Sequence, residues 1–373
     1  MNQMLNDRSC AVYESWLASA AMPPVITREL LTAFDPADCF DAFQKKDEKL
    51  ISIVPSRYLK LLDHFGKEEQ LKHMADLMES HSIYVMKYDD PEYPDVLKEI
   101  ESAPAILFYQ GNVHCLKKRM LAMVGSRAAS YAGQKAAKKL SGDLSRQGVS
   151  IVSGLACGID AASHLGCLEG GSPTIAVTAC GLDTVYPKDN TRLRDDILSE
   201  NGLILTEYAP GEKAVGWHFP YRNRIIAGLG KALILIEAKI RSGSMTSVHH
   251  ALDQGKDVFV YPGDPSSQYF EGNHQLLREG GIYFTSAEDI LSDLHWLDNQ
   301  PAVRQNSDCS GITINTSPEQ KAVLDALKPG NLSFEQLLDK THLSPAALMS
   351  TLTILQIGGQ IESLPGKLFQ IRH

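Results

Sequence analysis

The segment Pro220-Tyr221-Arg222-Asn223-Arg224-Ile225-Ile226-Ala227-Gly228-Leu229 sets two arginines at the start of a helix, predicted from Pro220 at its first position and from the spacing of Ile225, Ile226 and Leu229. A helix N-terminus carries partial positive charge, so Arg222 and Arg224 oppose it by roughly 0.3–1 kcal/mol each unless an anion lies beside them. Phosphate is the anion that helix N-termini and arginines together hold well. In the competing reading both side chains reach water or pair with a carboxylate distant in sequence, and this segment alone does not separate the two.

Further segments carry the same chemistry. Gly125-Ser126-Arg127 follows an apolar run and precedes a helix predicted to start near Ser130. Ser153-Gly154-Leu155-Ala156-Cys157-Gly158-Ile159-Asp160 follows a second run, and Glu237 with Ser242-Gly243-Ser244-Met245-Thr246-Ser247 follows a third. Each is a small-residue turn from strand to helix, which tight packing alone also demands. Converging on one sheet edge with Arg222 and Arg224, they read better as an anion site. Tyr131, Tyr186, Trp217, Phe219 and Tyr221 lie near these loops, and aromatics interleaved with cations suit single-stranded nucleic acid, where bases stack and phosphates pair.

Charge and motif content narrow the classes. The chain has 373 residues and a net charge of −9, which argues against non-specific coating of nucleic acid. Yet residues 213–241 hold Lys213, Arg222, Arg224, Lys231, Lys239 and Arg241 against the single acid Glu237, a local basic cluster. No Walker-type Gly-x-x-x-x-Gly-Lys-Ser/Thr occurs, and no Gly-x-Gly-x-x-Gly follows the first strand with its distant acid, so no nucleotide cofactor is expected. The seven cysteines are scattered without Cys-x-x-Cys spacing and His249-His250 are adjacent, so neither a disulfide framework nor a metal site is expected. No run reaches the roughly 18 apolar residues of a membrane span and the first twenty residues are unlike a signal peptide, so a cytoplasmic protein is expected.

The elements that must position these residues follow from periodicity. Residues 1–85 read as a small helical domain, with helices over 28–34, 36–44, 55–63 and 68–80. From residue 86 to 294, short β-branched runs at 106–109, 121–124, 149–152, 174–177, 203–205, 232–236 and 258–260 alternate with amphipathic helices. That alternation predicts an α/β domain: a Rossmann-like parallel sheet with helices on both faces and ligands at the carboxyl ends of its strands. Residues 295–316 are polar and irregular, suiting a linker. Residues 317–373 predict helices over 318–327, 334–340 and 345–357, breaks at Pro329-Gly330 and Gly358-Gly359, and a hairpin around Pro365-Gly366. This is the order of a winged helix. Its third helix offers Gln356, Met349, Ser350, Thr351 and Thr353 but no cation, so protein contacts or weak backbone binding through Lys367 and Arg372 are expected of it rather than duplex readout.

With these blocks in view, the chain resembles the DNA-processing protein A family (DprA, also called Smf). The resemblance rests on Tyr93-Pro94 leading to Gly111-Asn112, Val124-Gly125-Ser126-Arg127, residues 151–156 with Gly158-Ile159-Asp160 and His164, Gly181-Leu182-Asp183 with Tyr186-Pro187 and Asn190, His218-Phe219-Pro220 with residues 222–229, Glu237-Ala238 with Ser242-Gly243-Ser244, and Pro262-Gly263. It covers about residues 88–290 closely. The helical, SAM-like start and the winged-helix-like tail match by pattern only. It implies a non-enzymatic recombination mediator that binds and protects single-stranded DNA, forms a homodimer and helps load the RecA recombinase during natural transformation. Carried onto this sequence, the DNA-binding residues are Ser126, Arg127, Gly154, Lys188, Phe219, Arg222, Asn223 and Arg224. The chain departs from the family pattern at Thr178, at Met245-Thr246-Ser247, where a Leu-Ile-Thr-like triplet is usual, and at Val215-Gly216, where some members carry a lysine for which Lys213 is the nearest substitute.

A rival reading is enzymatic. Nucleotide-processing hydrolases of the lysine-decarboxylase-like group share the Rossmann-like layering and use a glutamate on an N-glycosidic bond. Glu237 before Ser242-Gly243-Ser244 is the nearest match, without the Pro-Gly-Gly-x-Gly-Thr loop of those enzymes.

Overall fold

A computed structural model describes residues 2–297, 318–328, 331–357, 361–364 and 368–371. Two compact units divide the chain at Asp298/Asn299.

The first unit opens with six helices: α1 (Asn2–Ser19), α2 (Pro24–Ala33), α3 (Pro36–Lys45), α4 (Glu48–Ile53), α5 (Ser56–Phe65) and α6 (Glu68–Ser80). Four correspond to predicted helices; α1 and α4 were not foreseen. Prolines open α2 and α3, where the missing N–H costs nothing. Trp16 of α1 centres this layer, its indole N–H donating to the Leu62 carbonyl at 2.8 Å and its ring edge-on to Phe40. The helices do not close on themselves. Trp16, Leu30, Leu62 and Met74 share one apolar cluster with Ile106, Phe108, Ala176 and Ile204 of the sheet described next.

The sheet has nine strands: β1 (Tyr84–Lys87), β2 (Ile106–Gly111), β3 (Arg119–Val124), β4 (Val149–Ser153), β5 (Ile175–Val177), β6 (Leu203–Thr206), β7 (Leu233–Leu235), β8 (Val258–Val260) and β9 (Ile282–Tyr283), in the order β1-β2-β6-β5-β4-β3-β7-β8-β9. From β6 to β9 all neighbours are parallel, whereas β2 runs antiparallel to β6 and β1 antiparallel to β2. The expected parallel core is therefore present inside a mixed sheet. Strands β1 and β9 were missed because Tyr84–Lys87 alternates weakly and Ile282–Tyr283 spans two residues. The intervening helices are α7 (Asp95–Lys98), α8 (Tyr131–Arg146), α9 (Ile159–Gly170), α10 (Thr191–Ser199), α11 (His218–Leu229), α12 (Ser244–Asp253), α13 (Glu271–Arg278) and α14 (Ala287–Asp293). The central strands are buried along their length, as a sheet covered on both faces requires.

The chain winds outward from β3 through β4 and β5 to β6, then returns through α11 to place β7 on the other side of β3. The strand order thus reverses between β3 and β7. Outside the carboxyl ends of those strands the loops on either side diverge and leave a crevice, the usual ligand position in open α/β sheets.

The second unit contains α15 (Pro318–Leu327), β10 (Leu332–Ser333), α16 (Phe334–Thr341), α17 (Pro345–Ile357), β11 (Ile361–Leu364) and β12 (Leu368–Ile371), with β12 between β10 and β11. Ser333 and Gln336 form a capping box at the start of α16. Leu348, Leu352 and Leu355 of α17 face the core with Val323, Leu327 and Leu337, leaving Met349 and Ile354 exposed. This is the winged-helix order. The breaks at Pro329-Gly330, Gly358-Gly359 and Pro365-Gly366, the cations Lys367 and Arg372, and all but the first three residues of the expected linker lie outside the described residues.

Candidate nucleic-acid interface

The crevice between β3 and β7 holds a cavity of about 670 Å³ walled by four segments that the sequence had marked separately. Gly125, Ser126 and Arg127 come from the end of β3, Ala156 and Asp160 from the β4–α9 turn, Phe219, Pro220, Arg222, Asn223 and Ile226 from α11, and Ser242, Gly243, Ser244 and Ser247 from the start of α12. Tyr186, from the β5–α10 loop, completes the wall.

The exposed Arg127 guanidinium lies 4.5 Å from the centroid of the Phe219 ring, and Tyr186 packs on the same ring at 5.3 Å. A cation stacked on an aromatic at a cavity mouth presents donors for a phosphate and a π-face for a base together. Its placement depends on close backbone approach. Gly158 has φ +78°, and a Cβ there would come within 2.3 Å of the Ser126 carbonyl oxygen. A glycine at this position lets the two loops meet.

Arg222 lies deeper, 3 % exposed, and its Nη1 donates to the carbonyls of Val177 and, at 3.0 Å, Gly154. Burial pulls its pKa down to about 10, a fall opposed by the Asp160 carboxylate, so it remains charged at neutral pH. Burial likewise pushes Asp160 above the usual carboxylate range against the pull of Arg222. Gly154 is no cavity-wall residue. A Cβ on it would stand 2.8 Å from Nη2 of Arg222 and 2.6 Å from Oδ2 of Asp160, so its role is to make room for that pair.

Arg224 belongs elsewhere. It is 4 % exposed, its Nη1 and Nη2 donate to Oε1 and Oε2 of Glu207 at 2.6 and 2.7 Å, and its Nε donates to the Ser102 carbonyl at 3.0 Å. Burial works against its charge, but the Glu207 pair outweighs that and holds Arg224 above its ordinary pKa. For this residue the competing reading, a carboxylate partner distant in sequence, describes the geometry. Lys188 is exposed two residues beyond Tyr186 and outside the cavity wall.

Two further expectations change. The helix begins at His218, not Pro220, because the His218 ring is fixed by its Nδ1 at 3.1 Å from the Ala179 carbonyl and by stacking on Tyr208 at 3.9 Å. Pro220 is still within the first turn, whose N–H groups lack helical partners, while Arg222 and Arg224 sit beyond it, where the dipole penalty fades. The basic cluster over 213–241 also divides in space: Lys231 precedes β7, at the amino end of the sheet, whereas Lys239 and Arg241 follow it at the carboxyl end.

Glu237 is fully buried and spent on structure. Its carboxylate accepts the Ser130 N–H at 2.9 Å and the Ser130 hydroxyl, closing the N-terminus of α8, and Gly133 leaves room for it. It does not line the cavity. The hydrolase reading thereby loses its carboxylate. Asp160 and Ser247 join the wall from two of the strand-to-helix turns read as the anion site, though neither is among the DNA-binding residues carried over from the family. Among the described residues, no group of three or more His, Cys, Asp or Glu side chains converges on a metal position, and no helix is long and apolar enough to cross a membrane.

The model for DNA recombination-mediator protein A matches residues 84–295, spanning the whole of this site. The chain belongs to the DNA recombination-mediator protein A family. A second model, the DprA winged helix domain, matches residues 312–367. The chain is 47 % identical over 207 residues to DNA processing protein DprA of Streptococcus pneumoniae, covering 56 % of this chain and 73 % of that protein. It is 33 % identical over 300 residues to Protein Smf of Escherichia coli, covering 79 % of each. The X-ray structure of DprA from Streptococcus pneumoniae aligns with a TM-score of 0.65 at 36 % identity, covering 76 % of this chain and 97 % of that one. DNA processing protein A from Helicobacter pylori, solved for its single-stranded DNA binding mode, aligns with a TM-score of 0.52 at 26 % identity over 57 % of this chain and 95 % of that one.

Proposed function

We propose that this member of the family is a single-stranded-DNA-binding recombination mediator of the cytoplasm, acting as a homodimer that protects DNA taken up in natural transformation and helps load RecA onto it. The observation that carries the reading is the Arg127–Phe219 stack at the mouth of a cavity floored by the charged Arg222. Ser126, Arg127, Phe219, Arg222 and Asn223 form the contact surface, Gly154 shapes it, and Lys188 adds charge beside Tyr186. Arg224 serves by holding α11 in place. The single-stranded DNA binding mode of the Helicobacter relative supports the choice of ligand. We assign residues 1–85 to the helical domain, 86–294 to the DNA-binding domain, 295–316 to the linker and 317–373 to a winged-helix domain that contacts protein.

A gel shift with single- and double-stranded oligonucleotides of equal length tests the ligand, with tighter retention of the single strand expected. Equal retention of both, or of neither, refutes it. Sedimentation at micromolar concentration tests the dimer, and RecA filament formation on the coated strand tests the loading step.

A further inference from the structure

A second cavity, of about 330 Å³, opens on the other side of the α11 start. The α11 start is shared between the two: Trp217 and Tyr221 line this one, Phe219, Pro220 and Arg222 the DNA cavity. Trp217 is 60 % exposed, and one face of Tyr221 is covered by the Arg224 guanidinium at 3.9 Å, so the indole is the open stacking surface.

The charged groups that line it are the carboxyls of Glu207 and Glu212. Glu207 is neutralised by Arg224. Glu212 faces Nε2 of His218 at 3.4 Å. Nδ1 of that ring points at the Ala179 carbonyl, which can only accept, so Nδ1 carries a hydrogen and Nε2 of the neutral ring is itself an acceptor. Burial pushes the Glu212 pKa up to about 7 and the His218 pKa down. Carboxylate lone pairs remain for a donor. A cavity with acceptor oxygens, an open indole and no free cation suits no phosphate.

We infer that this cavity receives a nucleobase of the same DNA strand whose phosphates lie in the Arg127–Arg222 cavity, and that it favours guanine, stacked on Trp217 with its N–H edge toward Glu212. The inference rests on the single-stranded-DNA reading of the first cavity. Trp217 and Phe219 are two residues apart, within about 7 Å along the backbone, so neighbouring units of one strand reach both. Guanine presents two adjacent N–H donors, as a carboxylate requires, whereas thymine presents one.

The test measures affinity and salt dependence for an oligothymidine and for the same length with alternate guanines, using the whole chain and Trp217→Ala, Glu212→Gln and Arg127→Ala. Wild type is expected to bind the guanine-containing strand about tenfold more tightly. Trp217→Ala should weaken binding to both strands about tenfold, within the range for a lost base stack, with the salt slope unchanged because no phosphate contact is removed. Glu212→Gln should abolish the guanine preference alone. Arg127→Ala should flatten the slope. If wild type shows no guanine preference, or Trp217→Ala binds as wild type while Arg127→Ala is impaired, the base site is overturned and the phosphate site stands. If wild type retains neither strand, the DNA reading itself has failed.

Discussion

Arg127 and Arg224 read alike in the sequence, and their surroundings predict opposite phenotypes. Single-strand binding weakens with salt by a slope near −0.7 per neutralised phosphate. Four cations would give about −3, but the Glu207 pair removes Arg224 from that count, leaving Arg127, Arg222 and Lys188 and a slope of about −2. A fourfold rise in salt should then weaken wild type about 18-fold and Arg127→Ala only about 7-fold. Arg224→Met should leave the slope untouched and cost about 3–5 kcal/mol of stability, because it strands the buried Glu207 carboxylate. Since that loss could unfold the chain, the double variant Arg224→Met/Glu207→Leu is the sharper probe. Replacing both partners by apolar groups is often neutral. Fluorescence anisotropy of a labelled oligonucleotide over a salt series, with urea unfolding of each variant, supplies both quantities. If the folded double variant flattens the slope as much as Arg127→Ala does, Arg224 leaves its pair to reach DNA and the assignment is wrong.

Other outcomes follow from buried groups. His164 is fully buried with its pKa pushed down to about 3, first by burial and then by Arg222, while an unfolded histidine titrates at 6.5. Its stabilising contribution is complete above 6.5 and is lost as pH falls below that value toward 3; from pH 7 to 5 the loss is about 2 kcal/mol. Replacement by Gln should remove that component from a urea-measured stability–pH curve, and an unchanged curve would contradict it. Lys256 donates to the Ala227, Gly228 and Gly230 carbonyls at the end of α11, so Lys256→Met should cost about 2 kcal/mol in the same assay. Glu237→Gln should lower the melting temperature through the α8 N-terminus yet leave DNA affinity intact where the protein is folded; intact stability with lost binding would make Glu237 a ligand contact instead.

Much of the site could be read in the sequence because strand-end loops in a parallel sheet converge by topology. Gly125-Ser126-Arg127, the Phe219-to-Asn223 stretch and Ser242-Gly243-Ser244 meet for that reason alone. What the spacing could not settle was where each arginine ends. Arg222 and Arg224 are two residues apart on one helix, yet Arg222 lines the cavity while Arg224 is held away from it, a difference decided by Glu207 from the end of β6, for which the local sequence carries no signal. Gly154 likewise looked like a ligand-facing glycine and instead makes room for Arg222. In the fold, β1, β9, α1 and α4 escaped because short or weakly periodic segments draw their stability from tertiary packing rather than from local pattern.

The apolar cluster common to the first six helices and the sheet limits how this protein can be taken apart. Phe108 and Ile204 are buried in a cluster that the Trp16 layer helps to build. A shortened chain beginning at β1 would present that face to water, inviting self-association that has nothing to do with a native dimer. An oligomer seen with such a fragment would report the missing cover, and only the full-length chain can answer for its assembly.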